Sequence, residues 1–151
     1  MNLLYSKLYK NSVTIELIKW LSIIAMIIDH TAIVFYDNNE YMRFIGRFAF
    51  IGFAFVLAHN YRYFTRNKFD YKLRLVNWGT VSQIPFSLIF GAEINILFLL
   101  AAGLYTIDAI ENIKTGKVLY PTLIISAALI LSLFSGYFIF GILLIVLFYC
   151  I

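Results

Sequence analysis

The sequence predicts an all-α, polytopic membrane protein: about six transmembrane helices in one bundle, with the N-terminus cytoplasmic. Three observations carry this. Hydrophobic residues make up 62% of the 151 and charged residues 13%, against roughly 25% charged in soluble domains. A soluble fold of this length has too little interior to hide so much apolar surface. The apolar residues also form long unbroken runs rather than alternating, which favours helices over the shorter, alternating strands of a barrel. Finally, basic residues are unevenly shared between successive turns.

Polar breaks divide the chain into six runs, approximately 15–36, 42–63, 71–90, 94–112, 118–135 and 137–151, within a single transmembrane domain spanning 1–151. Most are near the ~20 residues that cross a bilayer. The first run is too long for a signal-peptide core and lacks a small-residue cleavage site, so it is read as a retained helix. Asp37-Asn38-Asn39-Glu40 separates it from the second, and the stretch Thr65–Asp70 separates the second from the third. Pro85 near the end of the third frees a carbonyl and favours a kink. Gly91-Ala92-Glu93 precedes the fourth run, residues 112–117 precede the fifth, and Ser135-Gly136 precede the sixth. The sixth, 15 residues long, rises roughly 22 Å as a helix, short of the ~30 Å hydrocarbon core.

With the N-terminus inside, the cytoplasmic ends hold Lys7, Lys10, Lys19, Arg62, Arg66, Lys68, Lys72, Arg74, Lys114 and Lys117, while the outer ends hold Arg43 and Arg47. This is a positive-inside pattern, which places the protein as a multi-pass component of the inner (cytoplasmic) membrane. It also accounts for the net charge of +4 without a nucleic-acid partner, since no basic tract is interleaved with stacking aromatics. Cys150 stands alone, so no internal disulfide is expected.

Ionisable groups inside a span are costly and point to a buried partner or a polar cavity. The first run reads K-W-L-S-I-I-A-M-I-I-D-H from Lys19 to His30. Eleven helical positions are about three turns plus 20°, so Lys19 and His30 share a face, roughly 16–17 Å apart. Asp29 points about 100° away from His30 and needs a partner from another helix. Arg47, in I-G-R-F-A-F, falls at a similar depth in an antiparallel hairpin and is the expected partner, with Gly46 allowing close approach of the two backbones.

Gln83 in S-Q-I-P-F and Asn95 in I-N-I-L-F fall in the same outer layer. Asp29, His30, Arg47, Gln83 and Asn95 are therefore expected to line a cavity. Taken singly, Gln83 and Asn95 would equally serve as ordinary interhelical hydrogen-bonders, and an Asp29–Arg47 pair as a structural one. His30 is the residue suited to proton transfer near neutral pH. No metal site is expected, because the second histidine, His59, belongs to the opposite face.

At the inner end, Lys19, Arg62, Arg66, Lys72 and Arg74 gather around Thr65. Topology explains Lys68 and Lys72, whereas Arg62 and Arg74 are expected to face the bundle. Converging guanidinium groups suit phosphate, and Asp108 and Glu111 would neutralise part of the charge. Trp20, Tyr61, Tyr63, Trp78 and Tyr120 read as interfacial anchors.

The ordered set M-I-I-D-H, I-G-R-F-A-F, T-R-N…Y-K-L-R-L, S-Q-I-P-F and N-I-L-F…G-L, across roughly residues 15–105, resembles the TraX family. The resemblance implies membrane acetyltransfer, associated with conjugative plasmids and acetylation of the pilin N-terminus. It further implies kinship with transmembrane acyltransferases, whose first-helix cation holds acyl-CoA phosphate and whose histidine is catalytic; those positions here are Lys19 and His30. Ile51 replaces the family's proline, Leu99 a common threonine, His59-Asn60 a Glu-Gly, and Gly136-Tyr137-Phe138 an Asp-Tyr-Gly.

The resulting expectation is an acetyl-CoA-dependent enzyme. Its coenzyme phosphates would rest on Lys19, Arg62 and Arg74, with Thr65 and Arg66 nearby, and the thioester would reach His30. Asp29 and Arg47 would set the local field, and Gln83 or Asn95 would donate to the oxyanion. A small proton-coupled transporter and a non-catalytic assembly protein of a conjugation system are the competing classes. The small size also suits a homo-oligomer.

Overall fold

The computed structural model describes residues 12–151, among which there are six α-helices and no strand. They are α1 (Ser12–Phe35), α2 (Glu40–Tyr63), α3 (Lys68–Phe90), α4 (Ile96–Lys114), α5 (Leu119–Ser132) and α6 (Phe138–Cys150). Lys7 and Lys10, counted among the inner cations, lie outside the described residues. The expected runs correspond one to one with these helices, with ends that differ by a few residues. Asn67 accepts a hydrogen bond from the Asp70 amide and starts α3 at Lys68, so part of a predicted separator is helical.

The Asp37–Glu40 break works as a stop followed by a start. Asp37 and Asn38 adopt left-handed backbone (φ 46° and 64°), and the Asn38 amide returns to the Ala32 carbonyl at 2.9 Å, closing α1. Short polar side chains tolerate that conformation better than other non-glycine residues. The Asn39 side chain then accepts from the amides of Tyr41 and Met42 (3.1 and 3.2 Å) and opens α2. Gly116 (φ 88°) plays the corresponding part after α4.

α1, α2 and α4 are long and apolar enough to cross a membrane. α5 and α6, with 14 and 13 residues, rise about 20 Å each. α3 is long enough but carries Lys68, Asp70, Lys72 and Arg74 near its start. Large apolar side chains lie on the outside: Leu88 is 85% exposed, Phe140 76% and Ile84 72%. A surface of this kind belongs in lipid, and the chain is a helical membrane protein.

Two compact units divide the chain, one ending at His59 and the other running from Asn60 to Ile151. In the first, α1 meets α2 along Ser22 and Asp29, which face Gly52 and Gly46; a Cβ on either glycine would collide with the opposing side chain. In the second, α4 is the hub, packing against α3, α5 and α6. Its buried face includes Leu99, Leu104 and Ile107, and Gly103 admits Ile145 of α6 where a Cβ would come within 2.5 Å of it. The Ile94 amide bonds the Phe134 carbonyl at 2.9 Å, so the α3–α4 and α5–α6 connections share one end of this unit. Arg62, Arg66, Lys68, Lys72, Arg74, Lys114 and Lys117 lie toward its other end.

Candidate functional site

In the first unit, α1 runs unbroken through Lys19 and His30. Lys19, Ile23, Met26, His30 and Ile33 recur at spacings of four and three and are all partly buried, forming one stripe. Asp29 belongs to the neighbouring stripe, with the buried Ser22, Ala25 and Ala32. The sequence reading therefore holds for α1: cation and imidazole share a face, and the acid faces elsewhere.

His30 Nδ1 donates to the Met26 carbonyl at 2.8 Å. A carbonyl can only accept, so this bond places the proton of the neutral ring on Nδ1 and leaves the basic lone pair on Nε2. Lys19 is held by Glu16 at 2.6 Å, with side chains 39% and 56% exposed. An exposed pair of this kind is worth little, typically ~0–1 kcal/mol, so a multiply charged anion can displace Glu16.

The partner of Asp29 comes from α2, as expected, but it is Arg43 rather than Arg47. Arg43 Nη1 lies 3.1 Å from Asp29 Oδ2, and both side chains are mostly buried. Gly46 contacts Asp29; Arg43 and Arg47 lie one turn apart and only about 40° apart in phase, with Arg43 nearer in angle to Gly46 (about 60° against 100°) and so nearer the face that meets α1. Arg47 is exposed.

Gln83 and Asn95 are brought together in the second unit, where they fasten the α3–α4 connection. Gln83 Oε1 accepts from the Asn95 amide at 2.9 Å, and Gln83 Nε2 donates to the Glu93 carbonyl and to Ser87 Oγ, each at 2.9 Å. Asn95 caps α4 through Leu97 N (2.9 Å) and donates to Ser82 Oγ at 2.6 Å. These bonds match the plain interhelical role weighed from the sequence.

At the basic end of that unit the expected division of labour is reversed. Lys72, attributed to topology alone, is the buried cation: it pairs with Asp108 and lies 4.3 Å from the Tyr105 ring centroid. Arg74, two residues on and so about 200° around the helix, is exposed beside the Tyr71 ring at 5.7 Å. Arg62 is exposed too and donates to the Tyr149 carbonyl near the end of α6. Tyr61, read as an interfacial anchor, is fully buried and donates to Asp108 at 2.6 Å. Lys68 lies 3.5 Å from Glu111, which also accepts from the Tyr149 hydroxyl. Asp108 and Glu111 do neutralise cations, namely the two lysines. The i,i+4 spacing of Lys68 with Lys72 against that of Asp108 with Glu111 (i,i+3) was the available signal.

A groove of about 890 Å³ follows the α2–α3 turn, and Thr65, Arg66 and Arg74 line it together with Asn60, Asn67, Asn77 and the carboxylate of Asp70. Thr65 Oγ1 donates to the Asn60 carbonyl at 2.9 Å, so its first task is local. The groove's two guanidinium groups outnumber its one carboxylate, a balance that leaves it net positive.

A family model described as TraX protein matches residues 14–151. An uncharacterized protein of Rickettsia prowazekii (strain Madrid E) is 34% identical over 76 residues, covering 50% of this chain and 28% of the relative. The match thus spans little more than a quarter of that protein's length. No solved structure matches. On the near-complete family match, following the helices and stripes described above, the chain belongs to the TraX family.

Proposed function

We propose that this protein is a membrane acetyltransferase, moving acetyl from cytoplasmic acetyl-CoA to an amine or hydroxyl at the membrane or its outer face. The observation that carries the reading is the α1 stripe: Lys19 and His30 share one half-buried face, and His30 Nδ1 bonds the Met26 carbonyl. TraX membership supports the same chemistry, and a pilin N-terminus is an acceptor in keeping with the family. In the first unit the cation suited to the coenzyme's phosphates is Lys19; Arg66 and Arg74 line a separate groove in the second. Arg62 is left out, because it is engaged by the Tyr149 carbonyl.

In the reaction, His30 Nε2 takes the proton of the acceptor amine or hydroxyl as that nucleophile attacks the thioester carbonyl. The tetrahedral intermediate collapses by breaking the C–S bond, and the leaving sulfur takes up the proton. The products are acetylated acceptor and free CoA thiol. A covalent acetyl-imidazole on His30 would give the same products in two steps. Arg43 holds Asp29, and Asp29 in turn fixes α1 against Gly46 of α2.

The test is to incubate reconstituted protein with labelled acetyl-CoA and bacterial membrane extract. The expected result is label on an acceptor with stoichiometric release of CoA thiol. Solute flux without thiol release would instead favour the proton-coupled transporter.

A further inference from the structure

A second groove, of about 720 Å³, opens at the start of α2 and is lined by Asn38, Glu40, Tyr41, Arg43, Phe44 and Arg47. The two arginines, one turn apart, have different circumstances. Arg43 is neutralised by Asp29 at 3.1 Å. Arg47 is exposed, and no carboxylate among the described residues forms an ion pair with it. Both sit at the end of α2 opposite Arg62, where a positive-inside chain has least reason to keep a cation. The amides opening α2 are already capped by Asn39, so the helix terminus is not the attraction. Tyr41 (83% exposed) and Phe44 (66%) give the groove an aromatic wall. Glu40, seven positions before Arg47, is about 10 Å away along the axis and opposes an anion only weakly.

We infer that this groove binds an organic anion, a phosphate or carboxylate on an apolar or aromatic body, with Arg47 as its principal contact. Through Arg43 the groove adjoins Asp29, the chain neighbour of His30. Given the acetyltransferase reading, on which this assignment of role rests, the anion marks the acceptor. It would be carried by a soluble molecule or by a lipid headgroup.

Phenyl phosphate binding to the full-length protein in neutral detergent, without acetyl-CoA, tests the site by calorimetry. Loss of one charge-assisted contact in Arg47→Gln should weaken binding by roughly tenfold or more. Arg47→Lys should fall between, and Glu40→Gln should bind slightly more tightly. Equal affinity of Arg47→Gln and wild type overturns the proposal, whatever the fate of acetyl transfer. Repeating the titration in phosphatidylcholine vesicles with and without phosphatidylglycerol identifies the source. Competition by phosphatidylglycerol upholds the site as a headgroup site, and lack of competition upholds it as a site for a free anion. Acetyl transfer that survives in Arg47→Gln alongside unchanged phenyl phosphate binding removes this inference alone.

Discussion

A Cβ placed on Gly46 would collide with the Cβ and carboxyl of Asp29, and that close approach sets the acid beside the first turns of α2, where Arg43 pairs with it. Arg43, three residues before Gly46, lies nearer that contact in phase than Arg47, one turn further on, and it is Arg43 that pairs with Asp29. A double-mutant cycle on Asp29 and Arg43, read by unfolding in detergent, should therefore show a coupling of about 0.5–3 kcal/mol. The cycle on Asp29 and Arg47 should be additive. Much of this was legible: the need for a partner from the second helix, and the glycine that brings it near. The choice of arginine was missed because Arg43 and Arg47 lie one turn apart and only about 40° apart in phase, so depth counted from the turn separates them poorly. His30 was legible as a misplaced titratable group; its bond to Met26 was not, because side-chain rotamers are set by packing.

At the scale of elements, α4 joins its neighbours by two different means. Near its middle, Gly103 admits Ile145 of α6. At the basic end, Asp108 joins Tyr61 and Lys72, and Glu111 joins Lys68 and Tyr149. Burial separates the two lysines. The Lys72 and Asp108 side chains are 10% and 23% exposed, and truncating one member of a buried pair costs about 3 kcal/mol or more. Lys72→Ala should thus lower stability sharply. Lys68→Ala breaks a pair that is 40% and 45% exposed and should cost at most about 1 kcal/mol. Thermal unfolding of the two variants in one detergent checks the contrast. The helices themselves were readable because long apolar runs and Asx or Gly breaks are local signals. The network was not, since it depends on which way residues 61, 68 and 72 rotate about their helices, and the sequence offered topology as a sufficient reason for the lysines.

For the whole molecule, apolar surface and uneven basic turns fix the expected placement in the membrane. Cysteine labelling of a Cys150→Ser background checks it. Asn38→Cys should react with an impermeant maleimide from outside intact spheroplasts, and Gly116→Cys only after permeabilisation; the reverse pattern would invert the topology. Helical class and family could be read from composition and ordered motifs, and the structure and family match agree with both. The acceptor could not be read, because the family motifs concern the donor and the chemistry. The central claim concerns one imidazole on one stripe of α1. Its most direct test is acetyl transfer from labelled acetyl-CoA by reconstituted His30→Ala, with retained helical circular dichroism and detergent elution as proof of folding. The account predicts loss of label transfer and of CoA thiol release in that folded variant. Transfer at the wild-type rate would contradict it.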